Sequence, residues 1–384
     1  MNRKARILHV IDNTDPGGAQ SQLVSIFKSL KDEYDLSVAV LGRRGRLEEV
    51  YRSLGIAVHP LQQGGSRWSP GSFLPLLRLI HQMQPQLVHA HLFKSNILAS
   101  LAAWLAGVPC LLHDHSGMDA DGLKFYFPNA ISRFLYSSAY LIALKVSASV
   151  LVLTPQMRTA TLHHYHLPPA KVTVLPNAID LERSISGMEV RQSLRDELEL
   201  SASSQLIVMV GRMAPEKDWS TFIEIASYFT VRHQYAFLAV GSGKMELELR
   251  KLVHDKGLEN FQFLGDRQDV ASILTQSEVL VLTSRQEAFG IVLLEAMAVG
   301  CPVIAARAAG PIAIIQNGVN GLLVEIRDVT GFVNAINQVL SDPELAGRLA
   351  ENAHRSVRQY DVNTVVQQLS NTYSSLLHEP GDPL

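Results

Sequence analysis

The sequence predicts an α/β protein made of two doubly wound domains, each built on a parallel β-sheet. The chain has 384 residues, which exceeds what a single hydrophobic core usually holds. Predicted strands and helices alternate along it, as is typical of parallel sheets covered by helices on both faces. A faint internal repeat supports two similar halves, because AGVP at 106–109 and VGCP at 299–302 each end a predicted helix just before a strand.

The composition is that of an ordinary globular protein, with 47% hydrophobic and 18% charged residues. Its two cysteines, Cys110 and Cys301, lie at the starts of predicted strands and are interpreted as buried packing residues, which argues against disulfides and a zinc site. The apolar run before Asp12 is too short for a signal peptide, and no run reaches the ~18 apolar residues of a transmembrane helix. We therefore expect a cytoplasmic protein.

The net charge of −2 hides an asymmetry between the two halves of the chain. Residues 1–175 carry a net charge of +7 and residues 176–384 carry −9. The basic half could favour peripheral contact with an anionic membrane surface. We prefer charges scattered over solvated faces, since no cluster of cations is stronger than Arg43, Arg44 and Arg46. Nothing in this pattern suggests a nucleic-acid partner.

The first half of the chain begins with an apolar strand and a glycine-containing loop. Strands are predicted at 6–11, 36–41, 57–61, 87–89, 110–112 and 149–154. Helices are predicted at 19–30, from 46, at 73–83, at 95–105 and at 123–146. The pattern breaks at Pro176 and Asn177, where we place the domain boundary.

The second half restarts the same alternation. Strands are predicted at 206–210, 236–240, 261–264, 279–283 and 303–306, and helices at 219–230, 245–256, 270–276, from 290 to 299, and through most of 329–377. The domains therefore comprise residues 1–176 and 177–365, with a helical tail at 366–384 that could return to the first domain. We expect a cleft that faces the carboxyl ends of both sheets, where open α/β sheets bind ligands.

The most informative stretch is RQEAFGIVLLEAMAVGCP at 285–302. Its helix is apolar all round except for Glu295, and an ionised carboxylate in such a helix needs partners. A nearby arginine or a backbone amide would satisfy Glu295 as well as a ligand would. Glu287 lies eight positions earlier, beside Phe289 and Gly290, whose N–H groups could open a helix N-terminus for an anion. Two carboxylates around such a helix start suit a nucleotide-sugar, which has hydroxyls at both ends and phosphates between.

Cations follow the first strand of the second domain. Arg212 and Lys217 lie in the loop after that strand, where together they could neutralise a diphosphate, although either one alone is more often a surface cation.

Glycines end several predicted strands. Gly17 and Gly18 follow the first strand, and Gly241 and Gly265 end two strands of the second domain. Such residues let a backbone approach a ligand closely, but each is a weak signal because most turns between a strand and a helix carry glycine for geometry alone.

Histidines cluster at two strand ends, His89 with His91 and His113 with His115. A metal site would be one interpretation. We prefer hydrogen bonding to a ligand, because residues two apart beyond a strand usually point apart and no third ligand has an obvious spacing.

Taken together, these motifs resemble those of glycosyltransferase family 4, often called glycosyl transferases group 1. The resemblance spans nearly the whole chain and rests on the Gly17–Gly18–Ala19 loop, the His-x-His strand end, PNAID at 176–180, GR through EK at 211–217, VGSG at 240–243, FLG at 263–265, the two-glutamate stretch, and NGVNGLLV at 317–324. It implies the GT-B architecture, with two Rossmann-like domains facing each other across a cleft. The first domain would bind the acceptor and the second the nucleotide-sugar.

The resemblance also implies roles for matching residues. Arg212 and Lys217 would hold the diphosphate, and Glu295 the ribose hydroxyls. Glu287, with the backbone of Phe289, Gly290 and Ile291, would hold the donor sugar and its phosphate. By its spacing from Pro109, His115 corresponds to the histidine of the family that contacts the donor sugar near the reacting carbon. Gly17, Gly18, Gly241 and Gly265 would lie close to the nucleotide-sugar.

The chain departs from the family where Gly-Gly-x-x-Glu is usual, since it reads AGPIA at 309–313 and lacks the acidic residue. The implied reaction is transfer with retention at the anomeric carbon, with Glu287 and His115 beside the reacting sugar. No metal or cofactor is expected, because the cations and the helix N-terminus would offset the leaving-group charge. A UDP-sugar is the favoured donor, with a glycan, lipid-linked or small-molecule acceptor.

Two other functions remain open from the sequence. One is a nucleotide-sugar epimerase on the same architecture. The other is a non-catalytic binding subunit, which would not need the whole set of donor-site residues. The acceptor would be selected by the first domain, especially residues 117–146, where FYF at 125–127 is followed by an apolar helix that could instead be core packing.

Overall fold

The computed structural model describes residues 4–61, 70–115, 129–186, 193–229 and 234–377. The chain divides into two compact units, Met1–Ala178 with Val362–Leu384, and Ile179–Asp361. Each unit is built around one parallel sheet. The C-terminal segment of the chain thus belongs with the first unit. It begins at Val362, slightly before the predicted start of the tail at residue 366.

The first unit contains a seven-stranded parallel sheet in the order β3-β2-β1-β4-β5-β6-β7. Its strands are β1 (Arg6–Ile11), β2 (Asp35–Val40), β3 (Ala57–Pro60), β4 (Leu87–His91), β5 (Cys110–Asp114), β6 (Ser149–Val152) and β7 (Val172–Val174). The inner strands are buried on both faces, as is typical of a parallel sheet covered by helices, and besides apolar residues they bury histidines of β1, β4 and β5. The strand order reverses beside β1, between β1 and β4, which makes this the switch point of the sheet.

Helices of the first unit cover both faces of this sheet. They are α1 (Gly18–Leu30), α2 (Leu47–Ser53), α3 (Phe73–Met83), α4 (Phe93–Leu105), α5 (Ala130–Val146), α6 (Pro155–Tyr165) and the last helix of the chain, α16 (Val362–Leu377). Helix α1 buries Leu23, Ile26, Phe27 and Leu30, which recur at helical spacing. It packs against α16, and residues of both helices share a core with β1 and β4.

The second unit contains a six-stranded parallel sheet in the order β10-β9-β8-β11-β12-β13. Its strands are β8 (Gln205–Val210), β9 (Tyr235–Val240), β10 (Phe261–Gly265), β11 (Val279–Leu282), β12 (Val303–Ala306) and β13 (Leu322–Val324). The order again reverses next to the first strand of the unit, between β8 and β11. Residues at the carboxyl ends of β8 and β11 are therefore the expected ligand contacts of this unit.

Helices of the second unit are α7 (Leu181–Ser186), α8 (Leu194–Glu197), α9 (Trp219–Ala226), α10 (Glu246–Asp255), α11 (Val270–Thr275), α12 (Ile291–Ala298), α13 (Ala309–Ile314), α14 (Val329–Ser341) and α15 (Pro343–Ser356). A core of large aromatic residues, including Trp219, Phe222, Phe237 and Phe332, lies between the sheet and several of these helices. The apolar helix α12 buries Leu293, Leu294, Ala296, Met297 and Ala298.

The prediction of two Rossmann-like, parallel-sheet domains is confirmed, and several strand ends are corrected. Strand β4 continues to His91 rather than ending at His89, and β5 continues to Asp114. Helix α9 ends at Ala226, well before the predicted residue 230. The start of the predicted helix at 123–146 lies outside the described residues, which show its helix from Ala130 onward.

Several short elements were not predicted from the sequence. Among them are α6, β7, α13 and β13. Helix α6 is capped by the Thr154 hydroxyl, which accepts a hydrogen bond from the Met157 N–H, and it has Pro155 at its first position. Across the described part of the chain, none of the helices combines the length and the apolar character needed to span a membrane.

Candidate active site

The predicted donor-site carboxylate Glu287 lies in the loop that joins β11 to α12. Its Oε2 is 2.5 Å from Lys217 Nζ, and it accepts a hydrogen bond of 3.2 Å from the Ser284 hydroxyl. The side chains of Lys217 and Glu287 are only 18% and 11% exposed. The structure thus joins two predicted site residues, from the β8 and β11 loops, in one largely buried ion pair.

Backbone contacts between the same two loops hold this pair in place. The Thr283 hydroxyl donates to the carbonyls of Lys217 and Asp218 at 3.2 and 3.0 Å. The Arg285 N–H donates to the Glu216 carbonyl at 2.9 Å. Thr283 was not among the predicted site residues. It is a buried polar residue directly after an apolar strand, and this position in the sequence could have indicated it.

Arg212 is much more exposed than Lys217. Its guanidinium pairs with Glu216 Oε1 at 2.7 Å, and its side chain is 70% exposed. The Arg212 carbonyl accepts a hydrogen bond of 3.0 Å from the indole of Trp219, which is buried. The backbone of Arg212 is therefore fixed while its guanidinium stays available to a ligand.

The start of α12 has the geometry expected of an anion site. Gly290 precedes the helix with a φ of +95°, a left-handed conformation that favours glycine, and the first turn has no side-chain cap. Phe289 is buried and packs edge-to-face on Tyr360 with ring centroids 5.6 Å apart. Ile291, the first residue of the helix, is half-buried.

The departure from the family pattern at 309–313 lies directly beside this helix start. The Gly310 N–H donates to the Glu287 carbonyl at 2.7 Å, and a Cβ added at Gly310 would lie 2.5 Å from the backbone of Phe289. The glycine of the pattern thus supports the Glu287 loop through its backbone. The support does not depend on the acidic side chain that Ala313 replaces.

Glu295 projects from the otherwise apolar α12 and is half-buried. Burial raises the pKa of its carboxyl group, and the charge of Arg183 opposes that rise. Within the described ranges, the Glu295 carboxylate has no hydrogen-bond partner. The described residues therefore do not show a backbone amide that satisfies Glu295. The nearby arginine of the same alternative is Arg183, which acts on the carboxylate through its charge and without a hydrogen bond.

The glycine loops of the second unit pack on one another. Gly241, with a φ of +125°, approaches the loop after β8 so closely that an added Cβ would lie 2.1 Å from the Gly211 carbonyl oxygen. The Gly241 N–H in turn donates to the Gly265 carbonyl at 2.7 Å. In the structure the backbone at Gly241 closely approaches two neighbouring loops. The three loops form a continuous backbone surface along the carboxyl ends of β8, β9 and β10.

In the first unit, Gly17 and Gly18 form the entry to α1. Gly17 precedes the helix in an extended conformation and has no side chain to cap it, and Gly18 is the first helical residue. The nearest side chain to a Cβ at Gly17 would be that of Gln20. The N-cap position of α1 therefore offers no side-chain acceptor to the first N–H groups of the helix.

The histidines of the first unit form a buried cluster that differs from the prediction. His89 and His91 lie within β4 rather than beyond it, so they point to the same face of the sheet. His9 of β1 is paired in register with His89, and His113 of β5 with His91. The argument that residues two apart would diverge was wrong, because the strands are longer than predicted.

Two groups of three in this cluster bring one nitrogen each to within 4.8 Å of one another. They are His9, His89 and His91, and His91, His113 and His115. His115, the predicted sugar contact, is half-buried, and its Nε2 lies 3.2 Å from His91 Nδ1. Burial lowers the pKa of His115 to about 3, while a hydrogen bond with the Asn177 side chain opposes that shift. His115 is therefore neutral near pH 7.

Comparison with known proteins identifies the fold and the chemistry. The family described as Glycosyltransferase Family 4 matches residues 16–183, and the family described as Glycosyl transferases group 1 matches residues 190–356. The chain belongs to glycosyltransferase family 4. It is accordingly a glycosyltransferase with the GT-B architecture, and neither an epimerase nor a non-catalytic subunit is favoured.

Relatives of this glycosyltransferase cover most of its length. It is 27% identical over 311 residues to the UDP-Gal:alpha-D-GlcNAc-diphosphoundecaprenol alpha-1,3-galactosyltransferase of Escherichia coli, with 80% of this chain and 79% of the relative covered. It is 28% identical over 321 residues to the alpha-D-kanosaminyltransferase of Streptomyces kanamyceticus, with 80% and 83% covered. Among solved structures, Anabaena HepE in complex with UDP and glucose has a TM-score of 0.82 at 24% identity, with 97% and 100% covered.

Proposed function

We propose that this glycosyltransferase moves a sugar from a UDP-sugar to a hydroxyl group of a cell-surface glycan or lipid-linked acceptor, with retention at the anomeric carbon. The observation that carries the proposal is the arrangement of residues at the carboxyl ends of β8 and β11, which form one edge of the sheet. There the Lys217–Glu287 pair adjoins the uncapped start of α12, and the carboxylate of Glu295 on the same helix has no hydrogen-bond partner among the described residues. An anion site flanked by carboxylates suits a diphosphate that carries hydroxyl-bearing groups on both sides.

The donor is assigned from two features of this edge and from the names of two similar proteins. Lys217 and Arg212 supply positive charge for the diphosphate, with the forked guanidinium of Arg212 suited to two phosphate oxygens. Glu295 supplies acceptors for the ribose hydroxyls. UDP is favoured as the nucleotide because the name of the Escherichia coli relative includes UDP-Gal and HepE was solved with UDP.

The reaction breaks the bond between the anomeric carbon and the diphosphate oxygen, and forms a bond from that carbon to the acceptor oxygen. The nucleoside diphosphate leaves with the bonding electrons, and the acceptor hydroxyl gives its proton to an oxygen of the leaving diphosphate. Negative charge grows on the diphosphate as it leaves, so Lys217, Arg212 and the N–H groups at the start of α12 stabilise the transition state more than the bound donor. We propose that these groups make a divalent metal ion unnecessary.

Glu287 and His115 are the residues that we propose to contact the donor sugar. Glu287 would accept hydrogen bonds from sugar hydroxyls while its ion pair with Lys217 fixes the position of its carboxylate. His115 would hydrogen-bond the sugar as a neutral ring, since burial lowers its pKa to about 3. Gly17 and Gly18 would offer backbone N–H groups from the start of α1.

The acceptor class is inferred from the names of two relatives. The Escherichia coli galactosyltransferase and a Campylobacter jejuni N-acetylgalactosaminyltransferase, 23% identical over 360 residues, are both named for acceptors that carry a diphosphate and an undecaprenol lipid. A lipid-linked acceptor would bring the enzyme to a membrane surface, and the positive charge of residues 1–175 is compatible with peripheral binding at the cytoplasmic face. Residues 117–128 of the predicted acceptor segment lie outside the described residues.

Nucleotide binding can be measured by thermal unfolding of the full chain with UDP, GDP or ADP in EDTA. A ligand that binds only the folded protein raises the midpoint, by an amount equivalent to about 2.7 kcal/mol at 100 times its Kd. We expect a shift with UDP that persists in EDTA and is lost in Arg212→Ala and Glu295→Ala. A shift with GDP or ADP alone would overturn the choice of UDP, and no shift with any nucleotide would overturn the donor site.

The matched control is Arg348→Ala. Arg348, like Arg212, is an exposed arginine paired with a glutamate four residues away, here Glu344 at 3.0 Å. It lies on α15 and has no part in the proposed site. The Arg348→Ala protein should keep the full UDP shift, so a loss common to both arginine variants would indicate a general charge effect and not a diphosphate contact.

A further inference from the structure

One side of helix α5 (Ala130–Val146) is both apolar and exposed. Four large apolar side chains on it are 50–71% exposed, namely Ile131, Phe134, Leu135 and Ile142. At 3.6 residues per turn these four fall within about 100° of the helix circumference, together with Ser138 and Lys145. We call these six residues the outer face of α5. On an ordinary surface helix such a face carries charged and polar residues.

The inner face of the same helix supplies the core packing. Its buried residues are Tyr136, Tyr140, Ala143 and Leu144. Tyr140 donates a hydrogen bond of 2.8 Å to Asp114, the last residue of β5, and stacks on Tyr136 with ring centroids 5.8 Å apart. These contacts fix the rotation of α5 about its axis, so the outer face stays exposed. Core packing, one of the two interpretations of this helix from sequence, therefore uses only one side of it.

Most of the exposed apolar residues lie near the carboxyl edge of the first sheet. The ring of Phe93, which begins α4 two positions after β4 ends, lies 5.9 Å from the ring of Tyr136. The first two turns of α5 are therefore at this edge, and they carry Ile131, Phe134 and Leu135. Open α/β sheets bind ligands at the carboxyl edge. A surface that contacts the outer face of α5 would thus lie beside the expected ligand-binding edge of the first unit.

The charge around the outer face is of one sign. Residues 129–175 contain four lysine and arginine residues and no aspartate or glutamate, and the sequences of α3 and α4 contain no acidic residue either. Lys145 belongs to the outer face, and Lys171 Nζ donates to the Lys145 carbonyl at 2.7 Å, which places a second cation at the end of α5. An anionic partner is therefore complementary to this side of the unit.

The size of the outer face favours a lipid bilayer over a protein partner. From Ile131 to Ile142 the helix rises about 16 Å, and with a width of about 10 Å its footprint is roughly 160 Å². A stable protein interface covers about 800 Å² on each partner, and a second copy of this chain would bring two surfaces of the same charge together. Interfacial helices, by contrast, bind anionic bilayers by burying a few apolar side chains and by attraction of their cations to lipid phosphates.

We propose that the outer face of α5 lies on an anionic lipid bilayer. Ile131, Phe134 and Leu135 insert at the level of the headgroups, and Lys145 contacts lipid phosphates. The purpose of this contact rests on the proposed function, because a lipid-linked acceptor would then be presented beside the carboxyl edge of the first unit. Binding to the bilayer itself does not depend on the donor.

Co-sedimentation of the full-length protein with vesicles of phosphatidylcholine and phosphatidylglycerol tests the apolar part of the contact. We expect Phe134→Ser to weaken vesicle binding at least tenfold, because the exposed ring no longer leaves water. The matched control is Leu247→Ser, since Leu247 is 83% exposed on α10 of the second unit. This variant should bind like the wild type. Equal binding of the two variants would overturn the assignment of the outer face.

A pair of charge reversals tests the electrostatic part. Lys145→Glu should weaken binding to the same vesicles at least fivefold. Lys28→Glu changes the net charge equally, but Lys28 is exposed on α1, which packs on the opposite face of the sheet from α4, the neighbour of α5. It should bind like the wild type. An equal loss in both variants, or equally strong binding to pure phosphatidylcholine, would overturn a specific contact with an anionic bilayer.

A polarity-sensitive label reads the insertion directly. Both native cysteines are buried, so Phe134→Cys supplies an accessible thiol for the label. Its emission should shift to shorter wavelength on anionic vesicles, whereas that of labelled Leu247→Cys should not. An unshifted label at position 134 would overturn the insertion. A dimer of the wild type without lipid that is lost in Phe134→Ser would show that a second copy covers this face, and would also overturn the proposal.

The UDP shift of the thermal midpoint separates this inference from the proposed function. The Phe134→Ser protein should keep the full UDP shift, which also shows that it is folded. A wild-type protein that binds UDP but no vesicles would overturn the bilayer contact and leave the donor site standing. Vesicle binding without a shift by any nucleotide would overturn the donor site alone.

Discussion

Lys217 Nζ lies 2.5 Å from Glu287 Oε2, although the two residues are 70 positions apart in sequence. The lysine comes from the loop after β8 and the glutamate from the loop after β11, the two neighbouring strands at which the sheet order reverses. A diphosphate that binds Lys217 must share it with Glu287. The pair therefore links recognition of the phosphates to the position of the carboxylate that we assign to the sugar.

Lys217→Met should destabilise the protein, because it leaves the mostly buried Glu287 carboxylate with only the Ser284 hydroxyl as a described partner. Removing one member of a buried ion pair costs about 3–5 kcal/mol, and we expect a loss toward the lower end. Urea denaturation measures it. The control is Lys251→Met, whose pair with Asp255 is 75% and 51% exposed and should contribute under about 1 kcal/mol. Equal losses in the two variants would contradict a special role for the buried pair.

Glu295→Gln should separate stability from binding. Burial raises the pKa of Glu295 in the folded protein above its value in the unfolded chain. The folded protein therefore binds this proton more tightly, and the contribution of Glu295 to the free energy of unfolding falls as pH rises through the folded-state pKa. At pH 8 the glutamine variant should unfold at the same temperature as the wild type or higher, yet bind UDP at least tenfold more weakly. A lower midpoint with unchanged UDP affinity would indicate a structural carboxylate instead.

Glu278→Gln is the contrasting control for that experiment. Glu278 pairs with Arg195 at 2.7 Å and accepts a hydrogen bond from the Leu206 N–H. A glutamine cannot form the ion pair with Arg195, so this substitution should lower the midpoint and leave UDP affinity unchanged. The two glutamates of the same unit would then respond in opposite directions.

Gly241→Ala should be more damaging than Gly265→Ala. Both glycines have positive φ values, +125° and +65°, which cost an alanine about 1 kcal/mol or more. A Cβ at Gly265 would meet nothing within 4 Å, whereas one at Gly241 would lie 2.1 Å from the Gly211 carbonyl oxygen, so the β8 loop must move. We expect an additional loss of about 2 kcal/mol in Gly241→Ala alone. Similar urea midpoints for both variants would contradict the close packing of these loops.

Much of the fold was predictable, because buried parallel strands are continuous apolar runs whose ends are marked by glycine and proline. Strand β12 and helix α3 occur at their predicted bounds. The strand ends that carry histidines were missed, since His91 and His113 read as polar loop residues from sequence alone. Burial of a histidine depends on neighbouring strands and on α16, which is more than 250 residues away and supplies Tyr373.

The candidate site was predicted unevenly for a similar reason. Motif positions identify Lys217 and Glu287 separately, but their ion pair depends on the order of strands in the sheet, which no local pattern encodes. Thr283 and Gly310 hold the Glu287 loop through hydrogen bonds to the carbonyls of Lys217, Asp218 and Glu287. Their residue types are common in loops, so the sequence alone does not show that they support Glu287.

Tyr373→Phe should weaken the packing of α16 on the first unit. The Tyr373 hydroxyl lies 2.7 Å from His89 Nδ1, and both side chains are fully buried. Removing the hydroxyl leaves a buried histidine nitrogen unpaired, at a cost of about 1–3 kcal/mol. Tyr34→Phe is the matched control, because the Ser370 hydroxyl that Tyr34 contacts keeps a second contact with Glu33. Equal urea midpoints for the two variants would contradict the importance of the His89 contact.

Acidification below pH 6.5 should destabilise the first unit through its buried histidines. Burial lowers the pKa values of His9 and His115 to about 3, and those of His89, His91 and His113 well below 6.5. Between about pH 3 and 6.5 the unfolded chain therefore binds more protons than the folded chain, so the free energy of unfolding falls as pH falls. Each histidine contributes a slope of up to about 1.4 kcal/mol per pH unit.

Urea denaturation at pH 7.5, 6.0 and 5.0 should show this loss. His91→Phe should reduce its slope, whereas replacing the exposed His254 by phenylalanine should not. An unchanged slope in His91→Phe would mean that carboxylates, and not the histidine cluster, dominate acid sensitivity.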